Sequence, residues 1–174
     1  MTGDGRREAM REWTVGGALI RSSDGLVMVA NRRRDGSLDW TPPGGVIDHG
    51  EEVLDGLARE VREETGLRVA TWSGLAYRVE VEAPGLGWRM RVEAWEALVE
   101  GEIDIADPDG IVEEVRHAAA EHTVELIQTA PLWIRVPIGD WLVGRCGAAH
   151  PEPVLYRFLL EGEDRATATV VRVP

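Results

Sequence analysis

Residues 45–67 read GVIDHGEEVLDGLAREVREETGL. Within this stretch Val53, Leu54, Leu57, Ala58 and Val61 recur at the spacing of one helical face, and Gly66 stands where a left-handed residue would end a helix. The spacing predicts a helix over Glu51–Glu64. Along it, Arg59-Glu60-Val61-Arg62-Glu63-Glu64 sets Glu60, Glu63 and Glu64 at i, i+3 and i+4, which project from one side. Like charges at that spacing repel by roughly a few tenths of a kcal/mol per exposed pair, so the cluster calls for a compensating cation or arginine. With no Cys or His at zinc spacing, an oxygen-only donor set points to Mg²⁺, or to Mn²⁺. A Glu/Arg-rich helix is ordinarily a solvated face. Here the residues on either side decide otherwise.

Upstream, TVGGALIRSSDGLVMVAN holds two apolar runs separated by a Ser-Ser-Asp-Gly turn, a β-hairpin, and residues 1–11 are expected to be loose or helical. The stretch RRRDGSLDWTPPGG is polar and rich in Gly and Pro, which predicts a surface loop. Downstream, LRVATWSGLAYRVEVEA and GWRMRVEAWEALVE alternate as two strands joined by a turn around Pro84-Gly85-Leu86-Gly87. The acidic loop GEIDIADPDG leads to the short segment EEVRHAA and a helix around Glu121 to Thr129. A short helix near Ile138 to Val143 follows. PVLYRFLLEG and RATATVVRV then form a C-terminal hairpin over residues 151–174, read as a sheet edge, a dimer contact or a substrate wall.

Gly45, five residues, Glu51, seven residues, then Arg59-Glu60-Val61-Arg62-Glu63-Glu64-Thr65-Gly66-Leu67 resembles the Nudix box, Gly-x5-Glu-x7-Arg-Glu-U-x-Glu-Glu-x-Gly-U with U aliphatic, at every defined position. The resemblance implies an α/β Nudix fold over 1–174, an α/β/α sandwich around a mixed sheet with a loop-helix-loop carrying the metal site. It makes Glu60, Glu63 and Glu64 the Mg²⁺ ligands. Glu51 would act through a metal-bound water or by supporting the site, and Arg59 would orient a glutamate by a charge-assisted hydrogen bond. Gly45 and Gly66 would be structural, Gly45 by relieving crowding beside the metal. The chemistry implied is attack on a diphosphate bond by metal-activated water, with Glu63 or Glu64 first in line as general base. A later carboxylate completes the site in many relatives, with Asp107, Asp109, Glu113 and Glu114 in contention here.

Arg32, Arg33 and Arg34 precede the box, where a guanidinium could clamp a phosphate bidentately, Arg33 foremost. Trp40 could stack on a base or wedge the loop, and packing is the favoured role. His49 and His117 read as loop and structural residues. Cys146 has no base nearby to activate it.

At 174 residues and 44% hydrophobic composition the chain suits a single domain. A net charge of −12 argues against polymeric nucleic acid as partner and for a small nucleotide approached through a divalent cation. The single cysteine excludes an intrachain disulfide, and no signal or membrane-spanning run is legible, so a cytoplasmic location and no membrane partner are expected. The leading reading is a mutator-type nucleotide diphosphatase, with an ADP-ribose or nucleotide-sugar pyrophosphatase as alternative. A non-catalytic nucleotide sensor of the same fold is the rival from another class, and the intact box argues against it. Isopentenyl diphosphate isomerisation would need a cysteine upstream of the box, which is lacking. The C-terminal hairpin could serve a homodimer.

Overall fold

The structure is a computed structural model that describes residues 10–174. The expectation for the first eleven residues falls largely outside that range, and Arg11 already opens the first strand. The elements in order are β1 Arg11–Ser22, β2 Gly25–Arg32, β3 Leu38–Thr41, β4 Gly44–Val46, α1 Val53–Thr65, β5 Arg68–Ala83, β6 Trp88–Glu100, β7 Val112–Ala118, α2 Ala120–Leu126, α3 Leu132–Leu142, β8 Val154–Glu161 and β9 Thr169–Val173. A turn of 3-10 helix at Pro84–Leu86 joins β5 to β6. Among the described residues nine strands form one mixed sheet in the order β3-β2-β1-β6-β5-β8-β9, with β4 also paired to β1 and β7 to β2.

Alternation along β1 distributes its side chains to two cores. Ala18 and Ile20 join Val27, Ile47, Leu57, Val61, Leu67 and Ala97 beneath α1. Leu19 joins Leu26, Met28, Tyr77, Val79 and Phe158 on the other side, where Ile127, Ala130, Ile138 and Trp141 from the α2–α3 region cover the sheet. Helices on both faces of a mixed sheet give the expected α/β/α sandwich.

Three expectations change. The β1–β2 hairpin pairs only at its tip, Arg21 with Leu26 and Ser22 with Gly25. Lower down, β1 is flanked instead by β6, in parallel from Arg11 to Ile20, and by β4. A strand has two edges, so β2 must diverge, and it pairs with β3 and β7. The stretch read as a surface loop, residues 32–45, contains β3 and the start of β4. Its Gly44 and Gly45 pair with Gly17 and Gly16, a contact made by backbone that turn-forming composition does not reveal. The helix expected near Ile138 begins earlier, at Leu132, and carries Pro137 in its interior.

The C-terminal pair is an antiparallel hairpin, with β8 parallel to β5 and β9 outermost. Tyr156 and Phe158 of β8 are fully buried, so this hairpin is a working part of the core as well as an edge.

Candidate metal and phosphate cleft

Helix α1 packs Leu57 and Val61 against the sheet, fully buried, which turns the remaining side toward a cleft. It ends at Gly66, φ 76°, whose N–H donates to the Arg62 carbonyl. A Cβ at Gly66 would lie 2.3 Å from the Asp104 carbonyl oxygen. That crowding reflects how the helix end is finished: the N–H of Asp104 donates to the Thr65 carbonyl at 2.9 Å, and that of Ala106 to the Glu63 carbonyl at 3.1 Å. The last carbonyls of a helix lack intrahelical donors, and here the acidic loop supplies them. The same contacts bring Asp107 and Asp109 beside the glutamates of α1.

The resulting cleft, of about 660 Å³, is lined by Asn31, Gly44, Gly45, Val46, Asp48, Arg59, Glu60, Glu63, Glu64, Asp107, Pro108, Asp109 and Ile111. Among the described residues that line it, Arg59 is the one basic side chain. Its Nη1 donates to Glu60 at 2.8 Å and to Glu63 at 3.2 Å, while Nε and Nη2 grip the two oxygens of Glu51 at 3.3 and 3.2 Å. The Arg59 hydrogen bonds hold the Glu51 carboxyl below its ordinary range. Burial outweighs Arg59 at Glu60 and raises it.

Glu64 lies apart from this network. It is only 7% exposed, and its Oε2 accepts the Gly44 N–H at 2.8 Å. Burial, seconded by the charges of Glu60, Asp107 and Glu63, pushes its pKa up to about 8 against the opposing Gly44 hydrogen bond. Gly45 faces Glu60: a Cβ there would stand 2.7 Å from the Glu60 carboxyl carbon. Gly56 does the same for Glu51, at 2.6 Å from Oε2.

Of the four later carboxylates, Asp107 and Asp109 reach the cleft. Burial raises the Asp107 carboxyl, but the N–H groups of Val112, Asp109 and Ile111 outweigh it and hold the pKa low, so this side chain chiefly caps its own loop. Glu113 pairs with Arg32 and Glu114 with Arg116. Arg33 pairs with Asp39, and neither Arg32 nor Arg33 lines the cleft. Trp40 packs against the core on the α2–α3 side, with the Arg116 guanidinium 4.6 Å above its ring, and it too is outside the cleft lining. His117 bonds Ser22, and Cys146 is buried beside Tyr156.

Asn31 and Asp48 are polar lining residues that sequence reasoning passed over. For Asn31 the signal was present, since Val27, Val29 and Asn31 alternate along β2 and the polar member ends an apolar stripe aimed at α1.

Among the described residues no three acidic, histidine or cysteine side chains already stand together as a ligand cage. The donor set nevertheless suits a hard divalent cation: among the described lining residues six carboxylates face one guanidinium, and Gly45 leaves space at Glu60 that any side chain would fill.

The NUDIX domain family model matches residues 10–135. The chain is 36% identical over 77 residues to the m7GpppN-mRNA hydrolase NUDT17 of Homo sapiens, covering 40% of this chain and 24% of that protein. It is 32% identical over 118 residues to the RNA pyrophosphohydrolase of Bradyrhizobium sp. (strain ORS 278), covering 55% of this chain and 67% of that one. The matches to the human and bovine hydrolases span about a quarter of those proteins' length. Among solved structures, the solution structure of the E. coli ORF135 protein superposes with a TM-score of 0.66 at 18% identity, covering 82% of this chain and 95% of that one, which shows a shared fold. With the complete box on α1 and the family match extending over most of the chain, the protein belongs to the Nudix family.

Proposed function

We propose that the chain is a divalent-cation-dependent hydrolase that splits a diphosphate bond in a nucleotide, with a nucleoside di- or triphosphate as preferred substrate, in the manner of a mutator-type nucleotide diphosphatase. The observation that carries this reading is the charge of the α1 cleft, six carboxylates against Arg59. A phosphate anion is repelled from such a cleft unless a cation lies between. Glu60, Glu63 and Glu64 would hold Mg²⁺ or Mn²⁺, completed by Asp109, whose carboxylate is less committed to its own loop than that of Asp107. Bound there, such an ion neutralises phosphate oxygens and acidifies water.

The chain's own residues supply the rest. Arg59 restrains Glu51, Glu60 and Glu63 through one guanidinium, so their carboxylates keep a defined spacing. The Gly44 N–H fixes one oxygen of Glu64. Glu63 or Glu64 accepts the proton of the attacking water. Arg32 and Arg33 would have to leave Glu113 and Asp39 to reach a phosphate. The RNA-directed names of the two relatives motivate a second substrate class, the 5′ phosphate chain of an RNA end. The net charge of −12 weighs against it.

The test is release of phosphate, pyrophosphate or nucleoside monophosphate from nucleoside triphosphates, ADP-ribose, nucleotide sugars, dinucleoside polyphosphates and triphosphorylated or capped RNA, with Mg²⁺, beside Glu63→Gln and Glu64→Gln. Turnover of nucleoside triphosphates by the wild type, lost in the variants, is expected. Binding without turnover across the panel would replace this reading with a nucleotide sensor.

A further inference from the structure

Asn31 enters none of the roles above, yet it lines the cleft with Glu60, Glu63 and Glu64. It is half-buried near the end of β2, where the pairing with β7 shifts register between Ala30 and Asn31. Its Oδ1 is enclosed and accepts no hydrogen bond, an uncommon state for a buried polar atom. The planar amide with Oδ1 turned inward presents Nδ2–H₂ to the cleft. The surrounding carboxylates favour that orientation, because the reverse would aim a second acceptor at them. Only Asn31 and Arg59 among the described lining residues have side-chain N–H donors, and Arg59 is already bonded to Glu51, Glu60 and Glu63.

We propose that Asn31 is a phosphate-positioning residue whose Nδ2–H donates to a non-bridging oxygen of the substrate's diphosphate. The proposal rests on the hydrolase reading and deepens it. A neutral amide suits this place: it offers a donor to the anion without the charge that would compete with a divalent cation for the same glutamates.

The experiment is titration of methylenediphosphonate, a non-hydrolysable diphosphate, into Mn²⁺-loaded protein, beside titration of Mn²⁺ alone. Asn31→Ala is expected to weaken diphosphonate binding about tenfold, as loss of one hydrogen bond to a charged group does. Asn31→Asp should weaken it further by repulsion, and Mn²⁺ alone should bind Asn31→Ala as it binds the wild type. Asn31→Leu, which fills the enclosed space without a polar atom, gives the same readout should the alanine variant unfold. Unchanged diphosphonate affinity in a folded variant overturns the role, and so does weakened binding of Mn²⁺ alone, which would make Asn31 a support for the metal. A wild type that binds Mn²⁺ but no diphosphonate overturns the hydrolase reading and this role with it.

Discussion

Replacing Gly45 with alanine should separate the metal site from the fold. The backbone of Gly45 lies outside the left-handed region, so an L-residue is tolerated there. What the new methyl meets is the Glu60 carboxylate, at 2.7 Å from its carbon and 2.8 and 3.0 Å from its oxygens. An ordinary contact needs about 3.4 Å or more, so the carboxylate must retreat by roughly 0.7–1 Å. Because it ends a flexible side chain, the retreat is cheap, and stability should change by less than about 1 kcal/mol. The retreat nonetheless moves Glu60 relative to Arg59 Nη1, now 2.8 Å away, and relative to Glu63 and Glu64. Misplacement by about 1 Å in a reacting constellation costs on the order of a hundredfold in rate, or about 2.7 kcal/mol at 1.36 kcal/mol per decade. Thermal unfolding, Mn²⁺ titration and kcat/KM on the same preparation make the assay. A folded Gly45→Ala with wild-type Mn²⁺ affinity and kcat/KM would refute the reasoning. Its neighbour is the control: at Gly44, φ 150°, a Cβ would lie 2.1 Å from the Gly16 carbonyl oxygen, so Gly44→Ala should lose the fold itself.

Glu64, with its pKa raised to about 8 against an ordinary 4.5, binds a proton more tightly in the metal-free folded protein than in the unfolded chain. Its contribution is therefore fully present below about pH 4.5 and is lost as pH rises through about 8, so metal-free wild type should lose stability relative to Glu64→Gln across that window, read as the difference in Tm. By the same linkage, Mg²⁺ or Mn²⁺ binding at pH 7 should release a proton, visible as a dependence of calorimetric heat on buffer ionisation enthalpy; its absence would mean that Glu64 stays out of the metal site. Arg59→Ala leaves Glu51, Glu60 and Glu63 without their shared cation, and should lower Tm in chelator more than in Mg²⁺; equal losses in both would remove the compensation argument. Phe158→Ala, in the β8 core beyond the family match, should cost about 3–5 kcal/mol in urea unfolding, and a loss below about 1 kcal/mol would reduce the hairpin to a detachable edge.

The amphipathic spacing from Val53 to Val61, the stop at Gly66 and the one-sided glutamates are local properties, governed by the 3.6-residue period and by left-handed geometry at the helix end. The sequence by itself therefore determined α1, the box and the call for a cation, together with the alternation of β5 and β6. Other features depend on partners distant in the chain. Gly44 and Gly45 become a strand only because Gly16 and Gly17 offer edges to pair with, and β1 departs from β2 because β6 and β4 take its two sides. Asp109 rather than Glu113 stands at the cleft because the carbonyls of Glu63 and Thr65 capture the acidic loop, while Glu113 is drawn to Arg32 on a neighbouring strand. Arg33, placed beside the box by chain order, turns to Asp39 across its own hairpin. Asn31 comes to line the glutamates' cleft by strand register. Tertiary structure decided these because backbone edges and charges pair with what lies nearest in space, and that distance is set only when the sheet has formed.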